Sequence, residues 1–159
     1  MTQLVIIGIG SPFHDDRLGW EVIQLLQQQP SLQRYSVQQL QILCVDRPGF
    51  HLLELMHDAE MVFLIDAVQS SSVPGTIHCF EQGDLQAMSS GYSSHALGVA
   101  EVITLGEVLN RLPRRVVLYG IEVGEQAFQF TPSPMITKAI RELVQQLLVT
   151  IVDHIRLFA

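Results

Sequence analysis

The sequence predicts a three-layer α/β/α sandwich on a five-stranded, mostly parallel sheet containing one antiparallel strand. Short apolar runs of strand length alternate with segments whose apolar residues recur at helical spacing. The central runs are apolar throughout, as in strands covered on both faces. One connection between two runs is too short for a parallel crossover. The 159 residues suit a single domain, residues 1–159, with one sizeable core.

The apolar runs define the order of the strands. They fall at residues 4–9, 40–45, 61–65, 73–80 and 115–121. The fourth run begins seven residues after Asp66. A parallel crossover needs about a dozen residues or more, so we predict that this strand runs antiparallel. Cys44 and Cys79 lie within two of the runs, and we predict two buried thiols without a zinc or dithiol motif.

Helices are predicted between these strands. The first covers about residues 16–28 and ends before Pro30, and a short one follows the turn at residues 46–49. Another covers about residues 95–110, after a polar segment at 82–94 that is predicted to be a loop. The last helix has Ser133 as its N-cap and a long apolar face after it.

Composition and charge exclude several classes of protein. Hydrophobic residues make up 48% of the chain, which argues against disorder, and the formal net charge is −7. A negative chain is a poor match for nucleic acid or anionic membranes. The N-terminus lacks a signal-peptide pattern, and no apolar run approaches the roughly 18 residues of a membrane span. We therefore expect a cytoplasmic protein, while its oligomeric state stays open.

Three residues at the edges of the predicted elements are candidate metal ligands. Asp16 follows the first strand, Asp66 closes the third, and His95 stands where a helix begins. In open sheets the site lies beyond the carboxyl ends of the strands, where strand order reverses. Two carboxylates and an imidazole would leave metal positions open for chemistry. The alternatives are helix capping for Asp16 and an ordinary polar role for His95.

Other motifs are weaker. Gly8-Ile9-Gly10 lacks the third glycine of a dinucleotide fingerprint, because that position is Phe13. Asp46, at the end of the second strand, is either a turn former or a site residue. Glu122, which follows the fifth strand, is interpreted as a carboxylate on the rim of the site. His78 shows no paired spacing and is predicted to lie at the surface.

Four segments together resemble the hydrogenase maturation proteases, endopeptidases that trim the large subunit of [NiFe]-hydrogenase. The segments are the stretch from Gly8 to Gly19, Leu64-Ile65-Asp66-Ala67-Val68, Ser94-His95, and Tyr119-Gly120-Ile121-Glu122. The resemblance implies that Asp16, Asp66 and His95 bind a metal. It also implies a five-stranded sheet with one antiparallel strand.

The resemblance further implies a substrate-assisted reaction. The partner would be the large-subunit precursor, which supplies the nickel as cofactor and loses a C-terminal peptide. Asp46 keeps the acidic residue of a family segment that continues with two glycines, but here Arg47-Pro48 follows. Whether Asp46 acts as a general base or only shapes the groove stays open. We predict that the altered turn selects among large subunits.

Two other classes of function remain. A non-catalytic nickel-checking or carrier protein could use the same three ligands without cleaving a bond. A small-molecule binder could use the same sandwich. An open ligand set favours chemistry over storage, which prefers closed coordination.

Overall fold

The computed structural model describes residues 1–12, 17–87, 94–124 and 133–157, without the side chains of residues 86 and 94–97. Within these residues, five strands form one sheet: β1 Thr2–Gly10, β2 Leu40–Asp46, β3 Ala59–Val68, β4 Ile77–Glu81 and β5 Arg115–Glu122. The helices of the same residues are α1 Leu18–Gln27, α2 Pro30–Gln33, α3 His51–Met56, α4 Gln82–Ala87, α5 Ser94–Val108 and α6 Pro134–Leu157.

The strand order confirms the predicted fold class. The strands lie in the order β2-β1-β3-β5-β4, with β4 antiparallel to β5 and every other pair parallel. The chain moves outward from β1 to β2 and then returns to place β3 on the other side of β1. Strand order therefore reverses between β1 and β3, where a site is expected in sheets of this kind.

The helices cover both faces of the sheet. On β3, Phe63 and Ile65 belong to the core under α1 and α6, whereas Val62 and Leu64 belong to the core under α3 and α5. This alternation follows from the two-residue period of a strand. The predicted cap of α6 is also present, because the backbone N–H of Ile136 donates to Ser133 Oγ at 3.3 Å. The three-layer arrangement is therefore confirmed.

The prediction of two buried thiols was wrong. Cys44 and Cys79 are both exposed. They lie on β2 and β4, the two edge strands, where the flanking helices leave part of each face uncovered. An apolar run in the sequence does not distinguish a central strand from an edge strand, so the sequence did not reveal their exposure.

The polar segment predicted to be a loop contains a helix. Its first part forms α4, in which Leu85 is completely buried, while residues 88–93 lie outside the described residues. Asp84 Oδ2 accepts the backbone N–H of Glu81 at 2.9 Å just before the helix. A single large apolar residue creates no periodicity, and burial of Leu85 stabilises this short helix where propensity alone would not.

Within the described part of the chain, every helix is too short or too polar to cross a bilayer.

Candidate active site

Asp66 lies inside β3 rather than at its end, because β3 continues to Val68. Its register partner on β5 is Gly120. The side chain points to the same face as Leu64 and Val68, under α3 and α5, and the residue is 3% exposed. Its Oδ1 accepts the backbone N–H of Ala67 at 2.8 Å. A carboxylate so deeply buried costs several kcal/mol unless partners offset it, so this position indicates a function.

A cleft of about 290 Å³ opens beside Asp66. Its described walls come from the end of β1, the turn after β2, strand β3, and helices α3 and α5. The lining residues are Ile9, Arg47, Pro48, Gly49, Leu52, Asp66, Gly98, Val99 and Val102. The cleft thus lies at the reversal point of the sheet, with a carboxylate in a mostly apolar wall.

The start of α5 reaches this cleft. Gly98 and Val99 line it together with Asp66, so the first turns of the helix, which include position 95, lie at its edge. The His95 side chain and Asp16 lie outside the described residues. Among the described side chains, no group of three His, Cys, Asp or Glu residues could hold a metal ion. The predicted ligand set therefore stays a prediction.

Two glycines bring α1 close to the sheet at the same place. A Cβ on Gly19 would lie 2.3 Å from the carbonyl oxygen of Ile9 and 2.8 Å from that of Ile65. A Cβ on Gly8 would lie 2.5 Å from the carbonyl oxygen of Gly19. Gly8 is therefore needed so that α1 can pack closely against the sheet. This packing explains the glycine without a bound nucleotide. The contact also places the start of α1, which begins two residues after Asp16, beside the strands that flank the site.

The turn after β2 forms one wall of the cleft. Asp46 is exposed and its Oδ1 accepts a hydrogen bond from Arg47 Nε at 2.7 Å. Arg47 has φ +40°, in the left-handed region where glycine is unstrained and other residues cost about 1–2 kcal/mol. Its backbone N–H donates to the carbonyl oxygen of Gly10 at 3.1 Å. The turn therefore keeps a glycine-like backbone although arginine stands there, and it places Arg47 and Pro48, not Asp46, along the cleft.

Glu122 is not the rim carboxylate that the sequence indicated. It is 0% exposed and accepts hydrogen bonds from the Ser70 backbone N–H at 2.8 Å and the Ser70 hydroxyl at 2.7 Å. The prediction of a surface His78 was also wrong, because its Nε2 lies 3.3 Å from Glu122 Oε2 in a largely buried contact. Glu122 thus holds the connection between β3 and β4 against the end of β5. A buried and a rim carboxylate look alike in sequence, and the serine partner is 52 residues away.

Comparison with known proteins identifies the family. The family described as "HycI: Hydrogenase maturation protease" matches residues 21–150, most of the chain. The chain belongs to the hydrogenase maturation protease family. It is 25% identical over 152 residues to the hydrogenase 2 maturation protease of Escherichia coli K12, covering 91% of this chain and 90% of that protein. It is 24% identical over 153 residues to the hydrogenase expression/formation protein HupD of Rhodobacter capsulatus, covering 91% and 71%.

Solved structures of hydrogenase maturation proteases share this fold. The maturating endopeptidase HybD from E. coli superposes with a TM-score of 0.77 at 22% identity, over 96% of this chain and 93% of that one. HybD from Thermococcus kodakarensis gives a TM-score of 0.68 at 19% identity, over 94% and 99%. The predicted family and fold class are both confirmed.

Proposed function

We propose that this protease removes a C-terminal peptide from the large-subunit precursor of a [NiFe]-hydrogenase and recognises the nickel that the precursor carries. Membership of the maturation protease family supports the reaction class. The observation that carries the proposal is the position of Asp66. Its carboxylate is almost fully buried at the reversal point of the sheet, and the residue lines the cleft.

In this proposal Asp16, Asp66 and His95 complete the coordination of the precursor's nickel. Nickel accepts imidazole and carboxylate oxygen as well as thiolate. Asp66 is held in place by its position inside β3 and by the Ala67 N–H. Position 95 belongs to a helix whose next turn lines the same cleft. Bound there, the metal would polarise the scissile carbonyl or a water molecule.

The exposed Asp46 has a less direct part in the proposal. Its carboxylate is bonded to Arg47, whereas the residues that follow it line the cleft. We therefore favour a role for Asp46 in shaping the turn, with general-base catalysis as the alternative. Asp46→Asn tests this choice: a shaping role predicts near-normal processing, and a base predicts a loss of about 10²-fold or more.

The proposal is tested with purified protein and two forms of one precursor, nickel-loaded and nickel-free. Mass spectrometry should show loss of a C-terminal peptide from the nickel-loaded form alone. His95→Ala and Asp66→Asn should abolish the cleavage. Equal cleavage of both forms would overturn nickel recognition.

The same assay distinguishes a protease from the alternative of a non-catalytic nickel-checking protein. A checking protein would bind the nickel-loaded precursor without shortening it. Binding can be followed by size-exclusion chromatography of the mixture. A stable complex with an intact precursor would favour that alternative over the protease.

A further inference from the structure

The cleft beside Asp66 is small and its walls are mostly apolar. Ile9, Leu52, Val99 and Val102 contribute aliphatic side chains to it. At about 290 Å³ it lies just below the range of about 300–1,000 Å³ typical of ligand pockets. Its size therefore suits one or two side chains of a peptide rather than a long segment.

Gly98 keeps part of this space empty. It lies in α5, one helical turn after position 95, and lines the cleft. Among the described residues, and apart from the two chain neighbours of Gly98 and the backbone of its own helix, no atom lies within 4 Å of the position that a Cβ on Gly98 would take. Glycine is an unfavourable residue inside a helix. Because the Cβ position at Gly98 is empty, close packing within the described protein does not explain why glycine stands there. Gly98 precedes Val102 by four residues, so both lie on one face of α5, and both line the cleft. The free space at Gly98 therefore faces the cleft.

We propose that the cleft receives an apolar side chain of the precursor, from a residue that flanks the cleaved bond. This inference rests on the proposed function, because the cleft and Asp66 are continuous. A substrate whose scissile carbonyl lies beside Asp66 would place a neighbouring side chain against Leu52 and Val102. An aliphatic side chain would bind there favourably, because it would leave water for apolar walls. A charged side chain would lose hydration without a full set of polar partners. Gly98 sets the size of the group that fits.

The test fills the cleft from Gly98. Gly98→Ala adds a Cβ that meets open space, and Gly98→Leu extends a longer side chain from the same position. Thermal unfolding checks that both variants fold. Gly83→Ala and Gly83→Leu are matched controls. Gly83 lies in α4, outside the cleft lining, and a Cβ there also meets no atom of the described residues within 4 Å. Processing is measured on the nickel-loaded precursor and on versions in which each flanking residue is changed in turn.

We expect Gly98→Leu to slow processing by about tenfold or more, since a substrate group that no longer fits costs that order in rate. Gly98→Ala should slow it less, and the Gly83 variants should match the wild type. The Gly98→Leu variant should recover cleavage of a precursor in which the residue that enters the cleft is replaced by a smaller one. On the wild type, a charged residue on that flank should slow cleavage.

The outcomes distinguish this inference from the function on which it rests. Wild-type protein that fails to cleave nickel-loaded precursor would overturn the proposed function. A folded Gly98→Leu variant with normal processing would overturn the inference alone, because something other than the substrate would then occupy the cleft. A loss that no smaller flanking residue relieves would also overturn it.

Discussion

Replacing Gly19 by alanine should destabilise the protein even though alanine favours helix. The new Cβ would lie 2.3 Å from the Ile9 carbonyl oxygen, whereas ordinary contacts begin at 3.4 Å. The neighbouring atoms belong to the backbones of β1 and β3, which cannot rotate away as a side chain can. Helix α1 would have to move outward by roughly 1 Å, and Val22 and Leu26, both fully buried, would move with it.

Two effects oppose each other in this variant. Alanine in place of glycine stabilises a helix interior by about 1 kcal/mol, but less in the first turn, where Gly19 lies. Overpacking a close contact costs about 1–3 kcal/mol, and a rigid backbone neighbour places the cost near the upper end. We therefore expect the free energy of unfolding to fall by about 2 kcal/mol.

Urea unfolding measures this change, with Gly98→Ala as the control. Gly98→Ala makes the same exchange in a helix but meets open space, so it should leave stability unchanged or raise it by up to about 1 kcal/mol. The free energy of unfolding should thus fall in Gly19→Ala but not in Gly98→Ala, at an unchanged m-value. A Gly19→Ala variant as stable as the wild type would show that the close approach of α1 to the sheet does not limit the fold.

Three further predictions concern polar groups that are wholly or partly buried. Glu122→Ala should lower the free energy of unfolding by about 2–4 kcal/mol in urea titrations, because it leaves the buried partners at Ser70 unsatisfied; the exposed Glu54→Ala should change it by no more than about 0.5 kcal/mol. Burial raises the pKa of Tyr119 from 10.0 to about 12, so its contribution to stability is complete below pH 10 and is lost as pH rises toward 12. Tyr119→Phe should lack this part of the alkaline decline, and identical pH profiles would contradict it. Asp66→Asn should stay folded by circular dichroism and be at least as stable as wild type, since it removes a buried charge; a large loss of stability would indicate a structural carboxylate.

The sheet could be predicted because its determinants are local. The run at residues 61–65 is apolar on both faces, which marks a central strand, and the short connection before the fourth strand fixes its antiparallel direction. The burial of particular residues was harder to predict. Exposure of Cys44 follows from the edge position of β2, which depends on the order of the whole sheet.

The position of one candidate site residue could be anticipated from the sequence. Asp66 was singled out because an acidic residue in an apolar run is costly to bury, and it lies buried beside the cleft, while its role in a site stays a prediction. The contact of Gly19 with two strands and the burial of Glu122 depend on residues distant in sequence, so no local pattern indicated them. Gly98 could have been noticed in the sequence, since a glycine inside a helical segment is unfavourable. Its link to a site became visible only when the structure placed it in the lining of the cleft.

The insertion of β5 between β3 and β4 has a consequence for synthesis on the ribosome. Strand β4 pairs with β5 although the two are far apart in sequence. Arg115, the first residue of β5, follows Glu81, the last residue of β4, by 34 residues. Until β5 has emerged, β3 and β4 both present unpaired backbone groups to other nascent chains. Chains that terminate before residue 122 would lack the last pairing and the Glu122 carboxylate that holds Ser70. Such fragments should depend on chaperones more than chains that include all of β5.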